Sequence, residues 1–184
     1  FLERLVAKTS SLIVGDPAKY QVAIGPLINA QQRDSVAALV QSAKDAGAKL
    51  EVGGTYIELF FRPTVLSEVG ADNPAFQAEI FGPVALVVLF DTDEEAVCLS
   101  NDTEYGLSSG IISRNVGRAL ALGERLRTGL LHINDQTVND DVINPFGGVG
   151  ASGNGTSIGG PANWEEFTQW QWVTVKGECI PYAL

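Results

Sequence analysis

The chain has 184 residues, of which 45% are hydrophobic and 18% are charged, and this balance is typical of a globular protein with a buried core. Its formal net charge is −10 and no basic stripe offsets it, so we expect no nucleic-acid partner. The longest strongly apolar run, residues 84–90, is too short to cross a membrane, and we expect neither a membrane span nor a signal peptide.

Helical patterns recur along the chain. Residues 1–13 follow such a pattern, and because the chain starts inside it without a methionine, we expect it to be part of a longer sequence. Asn29 is placed to cap the next helix, with Gln32 three residues later completing a capping box, and Gly47 ends that helix. Later helices are expected after the capping residues Thr92 and Asn115 and over residues 163–167.

Strand patterns lie between these helices. The apolar run at residues 84–90 predicts the most deeply buried strand. Residues 169–175 alternate aromatic, polar and β-branched side chains, which predicts a strand near the C-terminus. Other strands are expected over residues 49–52, 60–66, 108–113 and 130–133. The alternation of strands and helices predicts an α/β fold with a mostly parallel sheet and flanking helices.

Histidine and cysteine, the residues of many metal sites and of thiol nucleophiles, are scarce in this chain. His132 is the only histidine, and the two cysteines, Cys98 and Cys179, lie far apart and in no CxxC pair, so we expect no metal site. A hydrogen-bonded buried or edge histidine and two inert thiols in a reducing cytoplasm explain these residues without a catalytic role.

A glycine-rich loop, residues 147–161, contains a formal match to the dinucleotide-binding fingerprint at Gly148, Gly150 and Gly153. No strand pattern precedes this match and no helix opens after it, so its context is wrong for a phosphate cradle. A tight loop that passes close to another segment or to a ligand is the better interpretation.

The stretch Glu79-Ile80-Phe81-Gly82-Pro83-Val84 leads a carboxylate, an aromatic ring and a Gly-Pro turn into the predicted strand at residues 84–90. From spacing alone, a solvated surface acid is the simpler interpretation of Glu79, and a ligand-binding role is the alternative.

Several short motifs occur in a fixed order: Gly25-Pro26-Leu27-Ile28, Arg62-Pro63-Thr64-Val65-Leu66, Glu79 to Val84, Asn101-Asp102-Thr103-Glu104-Tyr105-Gly106-Leu107, Pro145-Phe146-Gly147-Gly148 and Ser152-Gly153-Asn154-Gly155. Together they resemble the aldehyde dehydrogenase superfamily over nearly the whole chain. Two stretches, residues 150–155 and 163–176, look like the benzaldehyde and vanillin dehydrogenase branch, which acts on aromatic aldehydes.

The resemblance implies oxidation of an aldehyde to a carboxylic acid with NAD or NADP, and this region does not distinguish the two cofactors. It implies that Glu79 accepts hydrogen bonds from the nicotinamide ribose and that Phe81 packs against the nicotinamide end. Gln32 matches a position that reaches the ribose in some relatives, although its capping role explains it equally well. Phe146 matches a position at the aldehyde tunnel.

The sequence also departs from this family. The nucleophile motif Gly-Gln-x-Cys, the Glu-Leu-Gly-Gly-Lys segment with the general base and the Rossmann domain all precede this region in family members and are missing here. We therefore expect no catalytic residue in this chain and an inactive isolated chain. Many relatives carry a glutamate where this chain has Ser157, so a proton relay through that position is not expected.

In this interpretation residues 1–168 are the C-terminal part of a catalytic domain, and residues 169–184 form an oligomerisation strand and tail of a homo-oligomer. Two other classes remain open on the residues alone. One is a non-catalytic α/β assembly module, and the other is a free-standing nucleotide-binding module of flavodoxin type.

Overall fold

A computed structural model describes residues 1–179, and its backbone separates into two units, Phe1–Asp102 and Thr103–Leu184. The first unit contains α1 (Leu2–Ser10), α2 (Ala30–Asp45), β1 (Lys49–Val52), β2 (Tyr56–Ile57), β3 (Phe60–Phe61), β4 (Thr64–Ser67), α3 (Pro74–Gln77), β5 (Val84–Leu86) and α4 (Asp93–Asn101). The second contains β6 (Ser108–Ile111), α5 (Val116–Gly123), β7 (Leu130–Ile133), one 3-10 turn (Gly150–Ser152) and α6 (Ala162–Phe167).

The α/β class is confirmed, and the strands pair in both senses. In the first unit β4 lies between β1, to which it is antiparallel, and β5, to which it is parallel. Strands β2 and β3 form an antiparallel hairpin that the sequence did not predict. In the second unit β6 and β7 pair in parallel around the crossover helix α5.

The apolar core of the first unit joins the inner face of α2 to strand β4. Val36 and Ala43 on the helix and Leu66 on the strand are fully buried and belong to one cluster. Every residue of β4 is buried, because this strand has a neighbour on each side. The same cluster includes Ile80, which anchors the segment that leads into β5.

The prediction that residues 84–90 form the most buried strand is wrong. Strand β5 ends at Leu86, and Leu89 and Phe90 beyond it are 82% and 55% exposed. Within residues 1–179, β4 is the only strand that pairs with β5, so the apolar residues along it lack cover on the other side. Apolar composition alone did not distinguish this edge strand from the central one.

The predicted helix caps are confirmed. Asn29 accepts a hydrogen bond from the backbone of Gln32 at 2.8 Å, and Asn115 caps α5 in the same way. Thr92 caps α4, where the carboxylate of Glu95 accepts from the backbone of Asp91. Helix α5 ends at Gly123.

Residues 168–179 contain no helix or strand, so the strand predicted over residues 169–175 is not formed within the described chain. A strand needs a hydrogen-bonded neighbour, and no described segment pairs with this one. Its tryptophans, Trp170 and Trp172, are 94% and 92% exposed. The rest of the predicted tail, residues 180–184, lies outside the described residues. None of the helices described is long and apolar enough to cross a membrane.

Candidate functional site

The segment before β5 carries an exposed carboxylate and an exposed aromatic ring two residues apart. Ile80 is buried in the core, whereas its two neighbours, Glu79 and Phe81, are exposed. The Phe81 residue is 72% exposed. This alternation leaves an anionic acceptor and a flat apolar surface available to a ligand.

The turn that carries Phe81 has an unusual backbone conformation. Phe81 has φ +51°, in the left-handed region that a bulky residue rarely adopts. Gly82 follows it against α2, where an added Cβ would lie 2.7 Å from Cγ2 of Val36. Beyond it, the Pro83 carbonyl accepts from the backbone of Thr64 at 2.8 Å, which connects the turn to β4.

The side chain of Gln32 contacts this turn directly. Its Nε2 donates to the carbonyl oxygens of Ile80 at 3.2 Å and Phe81 at 3.1 Å. The capping-box prediction for Gln32 is therefore half right: its backbone meets Asn29 as expected, but its side chain is directed to the turn. Three of the predicted site residues, Gln32, Glu79 and Phe81, thus lie around one structural feature.

Sequence reasoning missed Asn73, which secures the approach to this turn. Asn73 is 1% exposed; its Nδ2 donates to the carbonyl of Ala43 and its Oδ1 accepts from the backbone of Ala75, both at 3.0 Å. It caps α3 and attaches that helix to the end of α2. The sequence does contain a local signal for this cap, namely an asparagine directly before Pro74, because proline favours the first position of a helix.

Phe146 lies in the second unit, where it forms an antiparallel bridge with Ile158. It is 37% exposed and borders a cleft of about 300 Å³ shared with His132 and Asn139. A neighbouring cleft of about 470 Å³ has mainly apolar walls that include Phe146 and Phe167. The residue predicted to face the aldehyde therefore lines space large enough for a small aromatic molecule.

Asp135 is the carboxylate closest in sequence to β7, the strand that contains His132. A hydrogen bond from the backbone of Gln136 lowers the pKa of Asp135, and the Asn139 side chain and His132 lower it further. His132 is half-buried, and its Nε2 is buried with no hydrogen-bond partner among the described residues, so the expected hydrogen bond is not formed at this nitrogen.

The cysteines form no disulfide within the described residues, and both are exposed. Cys98 lies on the exposed side of α4. No group of three or more histidine, cysteine, aspartate and glutamate side chains in residues 1–179 is arranged to hold a metal ion.

The glycine-rich loop packs closely on itself and on the start of β7. An added Cβ at Gly129 would clash with the carbonyl of Gly147, and one at Gly153 would clash with the carbonyl of Gly148. The loop contains one 3-10 turn and opens no α-helix at the fingerprint glycines, as its context predicted. Ser157 and Glu166 line one cleft beside it, so a carboxylate is present near Ser157.

Comparison with known proteins places these features in a family. The pattern of the aldehyde dehydrogenase family matches residues 1–173. The chain is 52% identical over 183 residues to a vanillin dehydrogenase from an Amycolatopsis species, covering 99% of this chain and 38% of that protein. It is 47% identical over 182 residues to a benzaldehyde dehydrogenase (NAD⁺) from Pseudomonas putida, covering 99% of this chain and 37% of that protein.

Solved structures give the same result. A salicylaldehyde dehydrogenase from Pseudomonas putida G7, in complex with salicylaldehyde, superposes with a TM-score of 0.92 at 34% identity over 98% of this chain and 37% of that chain. A Mycobacterium tuberculosis aldehyde dehydrogenase in complex with NAD⁺ gives 0.89 at 32% identity over 97% of this chain and 38% of that chain. The chain thus spans little more than a third of the length of these relatives, and it belongs to the aldehyde dehydrogenase family.

Proposed function

We propose that this chain is the cofactor-facing and aldehyde-facing part of an NAD⁺-dependent dehydrogenase that oxidises aromatic aldehydes to carboxylates. The observation that carries this proposal is the turn at Glu79 and Phe81, where an exposed carboxylate and an exposed ring flank the buried Ile80. Membership of the family supplies the reaction class, and the vanillin, benzaldehyde and salicylaldehyde dehydrogenases among its relatives supply the substrate class.

The residues on this turn fit a nicotinamide dinucleotide. An ionised carboxylate only accepts hydrogen bonds, so Glu79 suits a pair of ribose hydroxyls, which donate to it. The exposed Phe81 ring provides an apolar surface for the nicotinamide end. When bound, the dinucleotide supplies the oxidant for the aldehyde. NAD⁺ is favoured over NADP⁺ because the relatives in complex with a cofactor contain NAD⁺.

The net reaction converts an aldehyde, NAD⁺ and water into a carboxylate, NADH and two protons. This chain contributes binding and orientation to that reaction. No cysteine in the sequence lies in the family's nucleophile motif, so we assign the nucleophile to neither Cys98 nor Cys179. Phe146 supplies one wall of the aldehyde site, where an aromatic ring favours an aryl substrate through stacking.

A chimeric enzyme tests this proposal. In the chimera, this chain replaces the matching region of the Amycolatopsis vanillin dehydrogenase, which is 52% identical to it. We expect the chimera to reduce NAD⁺ with vanillin and benzaldehyde, followed at the absorbance of NADH. The 184-residue chain alone is the matched control, and we expect no activity from it.

Two results would contradict the proposal. One is a folded chimera that binds no NAD⁺ and oxidises no aldehyde. The other is an isolated chain whose NAD⁺ reduction survives replacement of both Cys98 and Cys179, because this would mean that the chain contains its own catalytic centre.

We also propose that residues 169–175 add as a strand to a second copy of the protein. The segment carries Trp170 and Trp172, both almost fully exposed, and its backbone forms no sheet with the described residues. Unpaired backbone next to large apolar side chains favours strand addition.

We further propose a cytoplasmic location, which agrees with two cysteines that form no disulfide with each other.

A further inference from the structure

We propose, on the basis of the function above, that Gln32 is a positioning residue that clamps the strained turn at Phe81 and so holds Glu79 and Phe81 in the orientation that binds the cofactor. Gln32 then acts on the cofactor through the backbone of this turn.

The hydrogen bonds of Gln32 to the turn leave it no free donor for a ligand. Its Nε2 lies 3.2 Å from the carbonyl oxygen of Ile80 and 3.1 Å from that of Phe81. A side-chain amide nitrogen has two hydrogens, so both are committed to the turn. Only the nitrogen can donate to a carbonyl, and this chemistry fixes which way the amide faces. The remaining group is Oε1, which can only accept.

These two bonds fix the conformation of Phe81. The carbonyl of Ile80 belongs to the peptide plane before Phe81, and the carbonyl of Phe81 belongs to the plane after it. Holding both planes fixes φ and ψ of the residue between them. Phe81 needs this restraint because its φ of +51° is energetically unfavourable for a residue with a Cβ.

Helix α2 provides a rigid base for the clamp. The backbone N–H of Gln32 donates to Oδ1 of Asn29 at 2.8 Å, so the helix cap does not depend on the Gln32 side chain. One turn later, Val36 packs so closely against Gly82 that an added Cβ on the glycine would lie 2.7 Å from it. The turn therefore contacts α2 at two points, one polar and one apolar.

Amide hydrogen exchange in the 184-residue chain tests the clamp. The reporters are the N–H groups of Val84 and Thr64, which donate to the carbonyls of Gly82 and Pro83, each at 2.8 Å. Gln32→Met keeps the length of the side chain but removes both donors. We expect this substitution to raise the exchange rate of these two amides by about tenfold, because the loss of a pair of hydrogen bonds increases the population of the locally open state.

The matched control is Gln31→Met, one residue earlier at an exposed position, which we expect to change exchange by less than about twofold. Gln32→Asn keeps the amide but shortens its reach and should give an intermediate effect, which covers the case that Gln32→Met does not fold. Equal exchange in wild type, Gln32→Met and Gln32→Asn would overturn the clamp.

A double substitution separates the clamp from general stabilisation. Glycine adopts positive φ without strain, so in a Phe81→Gly background Gln32→Met should raise exchange by less than about threefold. The same tenfold rise in that background would mean that Gln32 does not act on the strain at Phe81, and the proposal would be wrong.

The chimera connects the clamp to the cofactor. There Gln32→Met should raise the KM for NAD⁺ or lower kcat by about tenfold, while the KM for the aldehyde changes by less than about twofold. If the amides open as expected but these constants stay at wild-type values, the positioning role for the cofactor is wrong although the clamp exists. That outcome differs from a chimera that is inactive from the start, which would contradict the proposed function.

Discussion

Asn73→Ala should destabilise the first unit by about 1–3.5 kcal/mol, more than an exposed asparagine substitution. Losing the cap of a helix costs about 0.5–2 kcal/mol. Asn73 is 1% exposed and also donates to the carbonyl of Ala43, which keeps a second hydrogen bond from the backbone of Ala48 when Asn73 is removed. Loss of one such hydrogen bond costs about 0.5–1.5 kcal/mol, and the two effects together give the expected range.

Native-state hydrogen exchange of the slowest amides in β4 measures this cost, because that strand is entirely buried. The matched control is Asn29→Ala, which removes an exposed cap with a single hydrogen bond and should cost only about 0.5–1.5 kcal/mol. Asn73→Ser retains a capping oxygen and should fall between wild type and Asn73→Ala. A cost for Asn73→Ala below about 0.5 kcal/mol, or no larger than that of Asn29→Ala, would refute this account of the site.

Three further predictions concern the aldehyde wall, a surface carboxylate and the C-terminal segment. In the chimera, Phe146→Ala should reduce the preference for aryl over short alkyl aldehydes by up to about tenfold, measured as the ratio of the two kcat/KM values; an unchanged ratio would remove Phe146 from the aldehyde site. Ser67 donates to Glu51 at 2.6 Å and, with the ammonium of Lys49, lowers the pKa of Glu51. The stabilisation from this lowered pKa is present at neutral pH and is lost as the pH falls through the pKa of Glu51 in the folded chain. Ser67→Ala should therefore raise the midpoint of the Glu51 carboxyl titration measured by NMR. An equal midpoint in the variant would mean that the Ser67 hydroxyl does not lower the pKa of Glu51. Replacing Trp170 and Trp172 with serine should shift the chain towards monomer in sedimentation velocity; a wild-type chain that is strictly monomeric at high concentration would contradict strand addition.

The helix caps could be predicted from sequence because a cap is a local interaction. Asn29, Thr92 and Asn115 each meet a backbone N–H three residues later, and the structure confirms all three. Burial of β5 could not be predicted in this way. Its apolar run predicts burial, but the strand lies at the edge of its sheet, and residues far away in the sequence determine which strand is central.

The same distinction between local and long-range contacts applies to the candidate site. Resemblance to a family suggested Glu79, Phe81, Gln32 and Phe146, but it gave no sign that the Gln32 side chain bonds to the turn at Phe81. The residues in this contact are 48 and 49 positions apart, so no local pattern reveals it. Asn73 was missed for a related reason: the Asn-Pro pair signals a helix cap, whereas its bond to Ala43 spans 30 residues.

The central claim is that Glu79 serves the cofactor. The direct test is the primary isotope effect with deuterated aldehyde in the chimera, comparing wild type with Glu79→Gln. Removing the charge weakens a charge-assisted hydrogen bond worth about 1.5–3 kcal/mol, so the step that breaks the aldehyde C–H bond should slow by roughly ten- to a hundredfold. We predict a larger isotope effect, with the KM for the aldehyde almost unchanged. Wild-type turnover, NAD⁺ affinity and isotope effect in Glu79→Gln would show that this carboxylate is only a solvated surface acid.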